Sequence, residues 1–197
     1  MGLEQKEMIP IDEAIRETEM ASRRIGLLHL AFAKTLVNEL GEDAGRVMIL
    51  KAIEYYGKLV GEKAKEEVLK QGLDLIPSNF SAGTARDLPR FGMHEGRVVS
   101  DDGDSRSICT KGCAMAKVWR ELGEEDLGAL YCYVDPAKYM YYNPNYKLVH
   151  KKAMPVTGGD ICEFIVEMTT EEERESFSQG QANWVKIDGN IEKRQPE

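Results

Sequence analysis

Apolar residues recur at helical spacing over residues 11 to 40, where Ile11, Ile15, Leu27, Leu28, Leu30, Ala31, Leu36, Val37 and Leu40 stand among Arg, Glu and Lys. The spacing predicts a long amphipathic helix, opened near Asp12 and closed by Gly41. A second stripe, from Val47 through Leu50, Ile53, Tyr56, Leu59, Val60, Ala64, Val68 and Leu69, predicts another helix over about 43 to 71. Gly57 and Gly61 fall on one face of it, which suits close helix–helix packing, because a glycine inside a helix otherwise costs about 1 kcal/mol relative to alanine. With only Gly41 to Asp43 between them, the two helices are expected to pack antiparallel.

The pattern then changes. Residues 72 to 96 hold Pro77, Gly83, Pro89 and Gly92 without a sustained period, and read as a connector that covers something, with one short helix. Residues 97–100 and 105–109 flank Asp101-Asp102-Gly103-Asp104, which has hairpin chemistry. Ala114 to Leu122 reads as a helix capped by Gly123, Glu125 to Val134 as another, and Asp135-Pro136 as the cap and first turn of a short new one. After the turn at Asn143-Pro144-Asn145, Tyr146 to Ala153 and Asp160 to Met168 read as strands of a hairpin around Gly158-Gly159. From Thr169 onward the chain is polar and is expected to run over the surface. The expected fold class is α+β: an N-terminal antiparallel pair of long helices on a small antiparallel sheet, with short helices between the strands. One domain is expected over 1–197, divided into a helical pair (11–71), a cysteine-containing part (96–168) and a surface tail (169–197).

Composition narrows the partners. The 34 acidic residues outnumber the 26 basic ones, giving a net charge of -8, so no broad basic surface is expected to bind nucleic acid or an anionic membrane. No apolar run approaches the roughly 18 residues of a membrane span, and the first residues lack the cationic and apolar regions of a secretory signal. A cytoplasmic protein acting on a small molecule is expected, and a homo-oligomer is compatible with this reading.

Four cysteines, Cys109, Cys113, Cys132 and Cys162, lie in the second half. In a reducing compartment they are free, metal-bound or catalytic rather than disulfide-bonded. Strand alternation puts Cys162 on the face of Phe164, Val166 and Met168, and His150 on the face of Tyr146 and Leu148. A thiol and an imidazole thus point to the covered side of one sheet. Cys113 precedes a helix, where the dipole and unpaired N–H groups favour thiolate. Cys132 and Asp135 are three apart and share a helical face unless Pro136 separates them. Tyr131, Tyr133, Tyr139, Tyr141 and Tyr142 read as core and groove wall, His29 as a satisfied core residue, and His94 as a loop residue of undecided role.

The ordered set Cys113, Trp119-Arg120-Glu121-Leu122-Gly123, Cys132, Asp135, Asn143-Pro144, Gly159-Asp160 and Cys162-Glu163-Phe164 resembles the L-2-amino-thiazoline-4-carboxylic acid hydrolase family. The resemblance runs over roughly residues 25 to 168, including Tyr56-Gly57 and Gly61. It departs from the family pattern at Ala114, where a proline often follows the first cysteine. The resemblance implies ring-opening C–N hydrolysis of 2-aminothiazoline-4-carboxylate to N-carbamoyl-cysteine, with Cys113, His150 and Asp135 catalytic and Cys132, Asn143, Tyr139 and Trp119 at the substrate. Two routes fit these residues: a thiolate of Cys113 with His150 as base, or a divalent metal held by Cys113, Cys132, Cys162 and His150 or Asp135 that activates water. Two other function classes stand beside the hydrolase. One is a small-molecule or metal-binding sensor domain resembling 4-vinyl-reductase-type domains; the other is an interaction subunit with structural cysteines.

Overall fold

The computed structural model describes residues 8–84, 93–101 and 106–191. Helix α1 (Ile11–Leu40) begins after Pro10 without a side-chain cap, its first turn carrying Asp12 and Glu13 toward the positive dipole end. Gly41, at φ 82°, stops α1 and immediately precedes α2 (Glu42–Lys70), so the chain reverses on a single residue.

On α1 the buried face is not the one that most of its large apolar residues mark. Ser22, Gly26, Leu30 and Ala33 are buried on α1, whereas Ile11, Ile15, Leu27, Leu28 and Leu40 are exposed. On α2 the covered residues include Ile49, Ile53, Gly57, Gly61, Ala64 and Val68. The cause is close approach: a Cβ at Gly26 would stand 3.2 Å from Met115 Cα, and one at Gly57 would stand 2.5 Å from Ala137 Cβ. Small residues let α1 lie on α3 (Ala114–Glu121), and let α2 lie on α5 (Val134–Tyr142).

Four antiparallel strands, β1 (Gly96–Asp101), β2 (Arg106–Lys111), β3 (Tyr146–Lys152) and β4 (Ile161–Met168), form one sheet in the order β1-β2-β4-β3. The long helix pair, the short helices and this sheet make an α+β fold. Pairing of Ile108 and His150 with Phe164, and of Thr110 with Cys162, puts these side chains on one face. That face is covered by α2, α5 and a 3-10 helix at Pro77–Thr84, with Phe80, Tyr139, Tyr142, Leu148 and Val166 in a common core. Arg106, 5% exposed, ties the 3-10 helix down by donating to Pro77 O and Ser81 Oγ. The connector thus covers the sheet as expected, although residues 85–92 lie outside the described residues, as does the 102–105 part of the first hairpin.

Three expectations need correction. The helix predicted to begin at Asp135-Pro136 begins at Val134. It continues without a cap from α4 (Glu125–Ala129) through a 3-10 turn at Leu130–Tyr133, and Pro136 sits in the first turn, where its missing N–H is not needed. The β3–β4 connection is no tight turn: a helical turn α6 (Met154–Thr157) precedes Gly158, and Arg120 Nη2 holds the loop by donating to Gly159 O at 2.6 Å. Finally, the polar end is not a surface tail. Helix α7 (Glu171–Ser178) has a Thr170–Glu173 capping box, and α8 (Trp184–Ile187) follows. Trp184, Ile187 and Ile191 are buried in the core shared by α1, α2 and α5, and Lys147 of β3 donates to Glu173 at 2.6 Å.

Candidate functional site

Between the covered sheet face, the 3-10 helix, α2, α3 and the run into α5 lies a cavity of about 180 Å³. It is of the right size for one small substituted ring, since an apolar cavity of about 150 Å³ takes up benzene. Its walls are apolar and aromatic over much of their area, among them Tyr56, Phe80, Trp119, Tyr131 and Phe164. Into this setting project Cys113, Cys132, Cys162, Asp135, Lys138 and His150.

Each thiol arrives from a different element. Cys113 is the residue before α3, at φ -65° and ψ 119°; its side chain makes no cap hydrogen bond, but the nearby backbone N–H groups of Ala116 and Met115 favour its charged form. Burial outweighs them, and the pKa lies above the usual thiol value. Cys132 sits in the 3-10 turn, where residues three apart eclipse; Asp135 therefore faces the cavity with it. Burial, joined by Cys162 and Asp135, holds the Cys132 thiol well above the usual range. Cys162 accepts a hydrogen bond from Met154 N–H at 3.1 Å, yet burial pushes it up to about 12. All three thiols are therefore neutral at physiological pH, and a thiolate forms only where a base removes the proton. Cys109 points from the opposite face of the sheet and is exposed.

An imidazole stands beside the thiols. His150, 1% exposed, presents Nε2 to the cavity without a hydrogen-bond partner among the described residues, and Asp135 Oδ2 lies 3.6 Å away. The other Asp135 oxygen accepts from Lys138. On the far side of the ring, Nδ1 lies 2.6 Å from Asp188 Oδ2, which also accepts from the His150 backbone N–H at 3.0 Å. Strand β3 is an edge of the sheet, so the outward N–H and C=O of His150 have no neighbouring strand. Asp188 takes the first, and Asn190 Nδ2 donates to the second at 2.5 Å.

The remaining sequence candidates divide. Trp119 and Tyr139 line the cavity, Trp119 as a ring whose N–H is already given to Gly26 O, Tyr139 stacked on Phe80 with centroids 4.4 Å apart. Asn143 does not line it; its side chain donates to Leu75 O and accepts from Asn145 N–H, holding the turn between α5 and β3. His29 is a packed residue as expected, with Nε2 donating to Leu127 O at 3.0 Å beside Trp119 and Tyr131. His94 lies at the cavity wall with Arg97. Residues that sequence reasoning missed include Asp188, Lys138 and Thr110, whose hydroxyl is buried at the cavity with no hydrogen-bond partner among the described residues. The alternation of β2 that turns Cys109 outward turns Thr110 inward, so this one was open to reading.

Burial lowers the His29 pKa below its ordinary 6.5. The unfolded chain then binds a proton more readily than the folded one, so this contribution to stability is present above that value and is lost as pH falls through it. Wild type is expected to lose more Tm than His29→Gln between about pH 7.5 and about pH 5, read by thermal melts in matched buffers. Equal losses would remove His29 as a source of the slope.

Among the described residues, no three His, Cys, Asp or Glu side chains are arranged to hold a metal ion. Cys113, Cys132 and Cys162 share the wall of one cavity. No helix among the described residues is long and apolar enough to cross a membrane. No curated protein and no solved structure gives a significant match. The residues that line the cavity, its thiols and its imidazole among them, all fall within residues 20–166, which match the family model described as L-2-amino-thiazoline-4-carboxylic acid hydrolase; the chain belongs to that family.

Proposed function

We propose that this protein hydrolyses a small cyclic isothiourea bearing a carboxylate, of the 2-aminothiazoline-4-carboxylate type, with Cys113 as nucleophile and His150 as base. The observation that carries this is the imidazole Nε2, buried and without a hydrogen-bond partner among the described residues, facing the same ring-sized cavity as the neutral thiols. Cys113 is the best placed of the three because two backbone N–H groups await its charge.

Bond accounting changes one expectation. A product that keeps its carbamoyl group on nitrogen requires the C2–S bond, rather than a C–N bond, to break. Cys113 Sγ attacks C2 as His150 Nε2 takes the thiol proton. The ring C2–S bond then breaks, and His150 returns that proton to the departing sulfur. Water attacks the same carbon of the S-linked isothiourea as His150 takes a proton from it; the bond to Cys113 Sγ then breaks, His150 returns that proton to Cys113, and the carbon keeps the oxygen as the carbamoyl group. The sum is one water consumed, one C–S bond cleaved and one thiol freed. Asp135 faces the side where the amidinium nitrogens carry positive charge, and the aromatic walls limit water to the one that reacts.

The test is incubation with 2-aminothiazoline-4-carboxylate, followed by thiol titration and ammonia assay. Thiol release without ammonia is expected. Ammonia would indicate cleavage of the exocyclic C–N bond, and ligand retained without either product would leave a binding module of the sensor type.

A further inference from the structure

We infer that Asp188 is the positioning residue of His150, so that the reacting histidine is set by a carboxylate supplied from the C-terminal segment, outside the family-matched residues 20–166. This rests on the reading of His150 as the base. An imidazole serves as base through one nitrogen only when the other carries the proton and is held there. Asp188 supplies that hold twice over. Its Oδ2 accepts from the ring Nδ1 at 2.6 Å and from the backbone N–H of the same residue at 3.0 Å, which fixes both tautomer and ring direction. Its side chain is fully buried, and Oδ1 has no hydrogen-bond partner among the described residues.

A buried carboxylate with one oxygen idle is costly unless its charge is used. Here the charge stands against the far nitrogen of a ring whose near nitrogen faces the cavity, so it stabilises the imidazolium that forms when a thiol or water gives up its proton. Among the described residues, Asp135 of α5, paired with Lys138, and the neutral thiols of Cys113, Cys132 and Cys162 are other titratable groups that share the cavity with this ring. Asp135 lies on the cavity side and 3.6 Å from Nε2, so it meets the substrate as well as the ring, whereas Asp188 meets the ring alone.

The geometry also supplies a clean variant. Both accepted bonds end on one oxygen, and the other oxygen makes none, so in Asp188→Asn the amide oxygen can accept both while the NH₂ occupies the idle place. The change removes the charge and leaves the bonds. Turnover is expected to fall by about 10–100-fold, the usual effect of an orienting partner one step from the chemistry. The acid limb of the kcat/KM profile should move to lower pH, and KM should change little. Asp188→Glu should restore the position of that limb. Glu173→Gln, which loosens the same segment at Lys147, should lower Tm without moving it.

A readout independent of substrate separates this inference from the proposed reaction. In ¹⁵N spectra of histidine-labelled protein, neutral His150 should be the Nδ1–H tautomer, and its protonation should occur at lower pH in Asp188→Asn. If that holds while no turnover is found with the thiazoline, the positioning stands and the substrate is wrong. An Nε2–H tautomer in wild type overturns the inference, including the case where Asp188→Asn does not fold. So does a pH profile of the folded variant that superimposes on wild type.

Discussion

Cys113→Ser should reduce thiazoline turnover by about three orders of magnitude or more, as loss of a nucleophile does in enzymes where nucleophile and base act as one unit. The fold should be unaffected, because serine is smaller than cysteine and is a favourable residue at the position before a helix. Cys132→Ser should cost less, since Cys132 forms wall and carries no N–H donors comparable to those of Cys113. The comparison is made at saturating substrate with thiol release as the signal, alongside thermal melts of each variant. If Cys113→Ser retained most of its activity while His150→Gln lost it, attack would be by water that His150 deprotonates directly. The pair of variants decides between the two routes. His150→Gln is itself expected to lose about 10²–10⁴-fold, the span of a positioned general base.

The second large effect is on stability. Gly61→Ala would place a Cβ 2.3 Å from Lys138 O, 2.8 Å from Tyr141 Cβ and 3.0 Å from Tyr142 N. Two of these are backbone atoms of α5, so no side chain can rotate away and the helices must separate. The substitution gains about 1 kcal/mol in helix propensity and incurs an overpacking cost at the upper end of about 1–3 kcal/mol or beyond. A net loss of about 2 kcal/mol would lower Tm by about 4–8 °C in a chain of this size. Gly96→Ala, with nothing within 4 Å of its Cβ and no left-handed backbone, is the matched control and should be nearly neutral. The activity consequence follows from the same contact. Helix α5 carries Asp135, Lys138 and Tyr139 into the cavity, so Gly61→Ala is also expected to raise KM at temperatures where the protein remains folded.

These effects bear on what was readable in the chain. Helical spacing revealed both long helices and most of their extents, but on α1 most large apolar residues pointed to the wrong face. Leu27 and Leu28 are exposed, whereas Ser22 and Gly26 are buried against α3, because close packing selects small residues that a hydrophobicity pattern does not mark. The sheet face was legible for a simpler reason. Alternation is rigid, and it correctly put Cys162, Phe164, Leu148 and His150 on one side. Cys132 and Asp135 were readable as a pair only by their spacing of three, which a 3-10 turn satisfies as well as an α-helix does. Asp188 was hidden in a segment rich in Glu, Ser and Gln. Its signal was the apolar cluster Trp184, Val185 and Ile187 just before it, since a tryptophan in a polar stretch docks that stretch somewhere. Where it docks depends on β3 being an edge strand, and strand order does not follow from local pattern.

The C-terminal segment also bears on how the protein avoids misassociation. An edge strand that offers unpaired N–H and C=O groups beside apolar side chains is a template for strands of other molecules. At His150 both outward backbone groups are taken by Asp188 and Asn190, and Leu148 and Val149 next to it are buried. The same contacts that set the imidazole therefore close this edge to intermolecular pairing. During synthesis they form last, after every strand of the sheet has been made. Proteolysis or truncation beyond Met168 would accordingly do more than silence the histidine: it would open β3 as a nucleus for aggregation.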